Sequence, residues 1–320
     1  MSEQVVPEQA VVALDVGGTT IDAACVSAGG MVIGDLRQSA SPSAGTKDEI
    51  VAALARAIDG ARDQVSPDPR AASGGSRVTA CGIAIPAPFD YTAGVSHMTH
   101  KFQAIRGLKL GVLLTEATGL PVSFVNDADA FGLGVSWRQF PDAARLAVVT
   151  IGTGLGGGFI EDGRSLAEDP RVPPGGEVWD LPFEDGILED YVSARGVVSL
   201  YEKALPRKTL REKAAGNTRG SHHQPSARGV SELARRGSQP ALRAYQAMGT
   251  ALGRGLAPVL ARFAPEKIVV GGQVAQSLGL FGPAVSGALT AAGLPAIPVL
   301  PAAPGNLAIL GAARVALSRG

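Results

Sequence analysis

The sequence predicts an α/β fold with mixed sheets, and three observations lead there. Short β-branched and apolar runs alternate with segments of helical spacing over most of the 320 residues, the pattern of strands covered by helices. The chain opens on strand, tight turn and strand rather than on a strand–helix unit: Val11 to Val16, then Gly17-Gly18-Thr19-Thr20, then Ile21 to Val26. A passage of the same kind follows near the middle, with Leu146 to Ile151, Gly152-Thr153-Gly154 and Leu155 to Ile160. That repetition implies an internal duplication, one nucleotide-gripping hairpin per half. The length allows two domains of ordinary size.

The elements follow in order. After Gly29-Gly30, a third run from Met31 to Ile33 completes an antiparallel meander. Ile50, Leu54, Ala57 and Ile58 recur at helical spacing within Lys47 to Arg62. The Pro, Ser and Gly residues between Ser66 and Ser76 give a loop, and Val78 to Ile85 a buried strand stopped by Pro86 and Pro88. A helix is predicted over Leu108 to Thr118, a strand over Val122 to Val125 ending in Asn126-Asp127, and a helix over Ala128 to Trp137. Beyond the second hairpin and its turn at Glu161-Asp162-Gly163, Leu188 to Leu205 and Val230 to Phe263 read as mainly helical. Ile268-Val269-Val270 is a strand running into Gly271-Gly272 and then a helix. Ile297 to Pro301 is the last strand, and Asn306 to Ser318 the last helix, entered after Pro304-Gly305.

Composition narrows the function. Hydrophobic residues at 45% and charged residues at 18% supply real cores and argue against disorder. Twenty-nine basic residues against twenty-nine acidic ones exclude gross attraction to nucleic acid or to an anionic membrane. Cys25 and Cys81, the two cysteines, can build neither a disulfide framework nor a Cys-rich zinc site. No apolar run approaches the roughly 18–20 residues of a membrane span. Met-Ser-Glu-Gln at the start lacks the order of a signal peptide, so a soluble cytoplasmic protein is expected. The loop from Pro206 to Gly229 carries Arg207, Lys208, Arg211, Lys213, Arg219 and Arg228 against one acid, Glu212. A solvated surface loop is the expected reading, with a phosphate or partner contact as the sharper alternative. His222-His223 within it cannot share a helix face and has no evident third ligand, so no metal is expected there.

Glycine, at 42 residues, is clustered, and three clusters each follow a strand: Gly17-Gly18, Gly152 to Gly158 and Gly271-Gly272. Amide groups freed at such turns can point at anionic oxygens, and the missing Cβ lets phosphate approach. Three together point to a nucleotide polyphosphate. Gly152, Gly154 and Gly157 satisfy G-x-G-x-x-G, but a dinucleotide site needs a helix at that loop and a strand follows instead. The Gly-Lys-Ser/Thr ending of a Walker loop is absent. Asp15, beside the first turn, suits either hydrated Mg²⁺ or an Asx turn. Thr19 and Thr153 suit phosphate or turn capping. Asp127, at a strand end, suits a general base for phosphoryl transfer, or Asn126 or Asp127 caps the following helix.

These residues resemble the ROK family of sugar kinases and repressors, within the actin-like ATPase superfamily. The resemblance rests on Leu14-Asp15-Val16-Gly17-Gly18-Thr19-Thr20, Gly82-Ile83-Ala84-Ile85-Pro86 and Asn126-Asp127-Ala128-Asp129-Ala130. It continues through Ile151 to Gly158, Gly175-Gly176-Glu177, Leu188-Glu189 and Ile268-Val269-Val270-Gly271-Gly272. It implies an actin-like (ribonuclease H-like) fold of two α/β domains flanking a cleft, residues 1–122 with 303–320 and residues 123–302. It implies a kinase using ATP and Mg²⁺, with Asp127 as base and phosphates on Gly17, Gly18, Thr19, Thr20, Gly152, Thr153 and Gly154. Gly271 and Gly272 would lie near adenosine, and Asn126, Glu177 and Glu189 would bind sugar hydroxyls. A cytoplasmic homodimer is the family expectation, and with ten residues before Val11 and no helix-turn-helix segment among them the kinase branch is expected rather than the repressor branch.

One segment departs from that pattern. Where the family carries Glu-x-Gly-His and a cysteine-rich zinc loop, this chain has Glu177-Val178-Trp179-Asp180 and a shortened Leu181 to Ile187. No structural zinc is expected. Asp180 would meet a sugar hydroxyl or cap a turn, and Trp179 would pack or stack on a ring. Glucose is the default substrate; a modified sugar or a cyclitol, or a non-catalytic sugar sensor, are the alternatives.

Overall fold

Ala10 to Leu14 have no accessible surface, because β1 (Gln9–Val16) is the central strand of a five-stranded sheet covered on both faces. The computed structural model describes residues 9–65, 77–99, 101–206, 225–303 and 305–319. β1 pairs antiparallel with β2 (Thr20–Ser27), and β2 with β3 (Val32–Ala40). On its other side β1 pairs parallel with β4 (Arg77–Ile85), and β4 with β7 (Val122–Asn126). Between β4 and β7 come a small hairpin, β5 (Phe89–Asp90) with β6 (Val95–Ser96), and α2 (Leu110–Thr118). The order β3-β2-β1-β4-β7 puts the ends of β1 and β7 at one edge, with β4 between them. β3 is longer than the sequence suggests because it is an edge strand whose side chains are almost all exposed, so no apolar run marks it.

One face of this sheet packs Val12, Leu14, Cys81 and Ile83 against Ile50, Leu54 and Ile58 of α1 (Lys47–Arg62). Thr46 and Glu49 close a reciprocal capping box at the start of that helix. The other face receives α9 (Leu307–Arg319) over Gly82. A Cβ on Gly82 would stand 2.0 Å from the Ala312 carbonyl oxygen. α9 also crosses α3 (Asp127–Arg138), where Gly134 meets the Leu307 backbone and Gly311 the Ala130 backbone.

A second sheet repeats the same strand order, β10-β9-β8-β13-β14. β8 (Arg145–Ile151) pairs antiparallel with β9 (Leu155–Glu161), which pairs with β10 (Arg164–Ser165). β13 (Lys267–Gly271) is parallel to β8 and to β14 (Val299–Pro301). Ala147, Val149 and Ile151 bury one face against Tyr245, Met248 and Leu252 of α7 (Gln239–Phe263). α7 packs closely on α8 (Leu278–Ala291), with Gly253 against the Val285 carbonyl. The helical stretch after Leu188 is broken into α4 (Leu188–Tyr191) and α5 (Ala194–Ala204), since the Ser193 hydroxyl caps a new helix by accepting from Gly196 N–H. α6 (Ala227–Arg235) precedes α7.

The chain divides into two compact units, residues up to Asp142 with those from Ala303 onward, and Ala143–Ala302. The first boundary lies twenty residues beyond the expected one (142 against 122), because β7 is the fifth strand of the first sheet and α3 packs on α9. Among the described residues no helix is long and apolar enough to cross a membrane. Of the basic loop, Arg228 is described, paired with Glu232 at 3.1 Å; Arg207, Lys208, Arg211, Lys213, Arg219 and His222-His223 lie outside the described residues, as does the loop 66–76.

Candidate functional site

In the first unit the β1–β2 turn is closed by Gly17 N–H donating to the Thr20 carbonyl at 2.9 Å. The N–H groups of Gly18 and Thr19 have no protein acceptor among the described residues, and neither has the Thr19 hydroxyl. Amides left unbonded on an exposed turn are free to donate to water or to an anion. Asp15, the residue before Val16, accepts no backbone N–H among the described residues, so it is not an Asx-turn residue. Burial, with Asp127 and Asp22 nearby, pushes its carboxyl up to about 6.

Asn126 and Asp127 divide the two roles that the sequence leaves open. Asn126 is the N-cap of α3: its Oδ1 accepts from Ala128 N–H at 2.8 Å and Asp129 N–H at 3.3 Å. Its Nδ2 donates to the Tyr91 hydroxyl at 3.1 Å. The expected sugar contact at Asn126 therefore has one amide hydrogen left to use. Asp127 is left at the first helical position, exposed to solvent, with the Ala128 N–H 2.9 Å from its Oδ1. Desolvation by the surrounding protein raises its pKa, against the Ala128 N–H and the Lys101 charge, which lower it. A carboxyl whose pKa is raised is the kind of group that general base chemistry uses.

In the second unit the β8–β9 turn has the same construction. Gly152 N–H donates to the Gly154 carbonyl at 2.9 Å, and the N–H groups of Thr153 and Gly154 have no protein acceptor among the described residues. The loop is braced from α4 and α5. Glu189 accepts Leu155 N–H at 2.9 Å and pairs with Arg195 at 2.8 Å, and Ala194 N–H donates to the Gly152 carbonyl at 2.8 Å. Glu189, expected among the sugar contacts, thus holds the glycine loop in shape. β13 ends beside β8, in register Thr150 to Gly271. Gly272, with φ of 85°, lies where a Cβ would be 2.5 Å from the Ile151 carbonyl oxygen. The two glycine clusters of this unit therefore adjoin at the carboxyl ends of neighbouring parallel strands.

The segment that departs from the family pattern is held without thiols. β11 (Pro182–Phe183) and β12 (Gly186–Ile187) form a hairpin. Phe183 packs edge-on to Tyr191, Arg254 lies over the Phe183 ring at 5.5 Å, and Arg254 pairs with Glu184 at 2.7 Å. Trp179 is 39% exposed and its Nε1–H donates to Glu177 Oε2 at 2.7 Å. Asp180 is exposed.

A family model described as the ROK family matches residues 11–167 and 184–316. The chain belongs to the ROK family. The interval the ROK model leaves unmatched, 168–183, includes Trp179, Asp180 and the first part of the shortened Leu181 to Ile187. Glucokinase of Thermotoga maritima is 26% identical over 292 residues, 87% of this chain and 86% of that protein. A ROK hexokinase from Thermus thermophilus superposes with a TM-score of 0.75 at 26% identity, covering 97% of this chain and 99% of that one. A ROK family glucokinase from Streptomyces griseus, in complex with glucose and AMPPNP, gives a TM-score of 0.70 at 25% identity over 97% and 99%. The fold is that of the actin-like ATPases, α/β with two mixed sheets.

Proposed function

We propose that this ROK protein is an ATP-dependent kinase that phosphorylates a hydroxyl of a hexose-like sugar. The observation that carries the reading is the pair of glycine hairpins. Each leaves two amide N–H groups unbonded among the described residues, and one of them adjoins a raised carboxyl. Phosphoryl transfer asks little covalent chemistry of a protein, so gripping phosphate and positioning the nucleophile carry most of the rate. Glucokinases and a hexokinase among the relatives support a sugar as acceptor. Asp127 takes the hydroxyl proton. Gly17 to Thr20 and Gly152 to Gly154 hold the phosphates, Gly271-Gly272 lies near adenosine, and Glu177 and Asp180 contact the sugar. A cytoplasmic homodimer remains the accompanying proposal from the family.

Magnesium fits the residues present. Mg²⁺ keeps several waters and takes phosphate oxygens, so a single protein carboxylate can hold it through water. Asp15, its carboxyl pushed up by burial and further by Asp127 and Asp22, gains from a cation beside it, and would hold the ion through water. When bound, Mg²⁺ supplies charge neutralisation on the phosphates.

A coupled ADP-release assay against hexoses, amino sugars and cyclitols tests the reading. Trp179 and its bond to Glu177 favour including modified sugars, since an indole at that edge changes the face a sugar ring meets. Asp127→Asn is expected to lower kcat by about 10²–10⁴-fold while leaving melting temperature and ATP binding unchanged. Full turnover in that variant would remove Asp127 as base. No ADP release from the wild type with any acceptor would favour the sugar sensor.

A further inference from the structure

Lys101 belongs to none of the glycine motifs, yet it is built into the first of them. The Phe102 ring is 1% exposed and its backbone adopts φ of 51°, a conformation that a bulky residue holds only under tertiary constraint. The constraint is visible. Phe102 N–H donates to the Ser43 carbonyl at 2.7 Å, and the Ser43 hydroxyl donates to the Gly18 carbonyl at 2.5 Å. Two residues earlier, Ser41 N–H donates to the Thr19 carbonyl at 2.9 Å. The segment 41–43 therefore straps the hairpin turn and residues 101–102 together. The lysine stem lies along the turn: a Cβ on Gly18 would sit 3.4 Å from Lys101 Cδ, 3.6 Å from Cε and 4.0 Å from Nζ. Among the described residues no carboxylate comes within ion-pair distance of the ammonium, although its charge is felt at Asp127.

A cation set over phosphate-facing amides, near the base and held by no carboxylate of its own among the described residues, is placed for a charge that arrives with the substrate. We propose that Lys101 binds the phosphoryl group in transfer, adding a point charge to the Gly18 and Thr19 amides. This rests on reading the hairpin as a phosphate grip. In the step, the sugar oxygen forms a bond to the γ-phosphorus as the bond from that phosphorus to the β,γ-bridging oxygen breaks. The hydroxyl proton passes to Asp127 and ADP leaves with the bridging oxygen. Charge spreads over the equatorial oxygens of the moving group, where a fixed cation is worth most.

The test compares wild type with Lys101→Met and Lys101→Arg. Lys101→Met is expected to lower kcat at least 100-fold with the KM of the sugar within threefold and the melting temperature unchanged; Lys101→Arg is expected to restore at least a tenth of the activity. Binding of ADP with aluminium fluoride and glucose, a mimic of the moving phosphoryl, should weaken in Lys101→Met, while binding of ADP alone should not. A raised sugar KM with kcat intact would make the ammonium a sugar contact and overturn the proposal, as would an active wild type with Lys101→Met unimpaired. A wild type that releases no ADP with any acceptor would sink the kinase reading itself, and this inference with it.

Discussion

Asp15 stands directly across the strand pair from Asp22, an arrangement that costs stability whenever both are ionised. Gln38 donates to Asp22 Oδ1 at 2.8 Å, and Asp15, desolvated by burial and facing Asp127 and Asp22, holds its proton up to about pH 6. Because the folded-state pKa lies above the unfolded one, the stabilisation is complete below about pH 4 and is lost as pH rises through about 6. Asn cannot ionise, so Asp15→Asn should melt higher than wild type at pH 8, by at most about 3 kcal/mol, with the gap closing at pH 4. Thermal melts across that range measure it, and a gap that grows toward acid would refute the assignment. Asp15 and Asp127 were legible in the sequence because each adjoins a turn or strand end whose residue types announce it. Lys101 was not. What gives it meaning is a strap through Ser43, whose carbonyl accepts from Phe102 N–H some sixty positions along the chain.

The helices α3 and α9 meet so closely that side chains are excluded from the crossing. A Cβ on Gly311 would stand 1.7 Å from the Ala130 carbonyl oxygen, and one on Gly134 1.9 Å from that of Leu307. Gly311→Val should therefore destabilise the protein by about 3 kcal/mol or more, read as a shift in urea midpoint. Since α3 carries Asp127 at its first turn, residual folded protein should also lose kcat. A variant of unchanged stability would show that the crossing yields easily. Elements buried on both faces were legible, as continuous apolar runs in β1, β4 and β8. The full length of β3 and the β11–β12 hairpin were not: one has an exposed edge pattern and the other two-residue strands too short for any period to register. The start of α3 moved by one residue because the cap fell to Asn126.

At the scale of the whole chain, two sheets share one strand order, and the two strand–glycine–strand passages had already suggested it. The boundary between compact units falls later than the expected one for a physical reason: parallel pairing of β7 with β4 joins strands distant in sequence, and no local signal records such a partner. Each unit has its own core, and Ala143–Ala302 is continuous in the chain. That segment expressed alone should fold, with a cooperative melt and helical and strand circular dichroism; a non-cooperative, aggregating product would contradict it.

The first unit has no such independence, because α9 supplies the cover for Gly82 and the partner for α3. During synthesis the amino-terminal sheet is half bare until the residues of α9 have cleared the ribosome. Vectorial translation thus inverts the maturation order of the halves: the part made later can close earlier, and the nascent amino-terminal half is the one a chaperone must shelter.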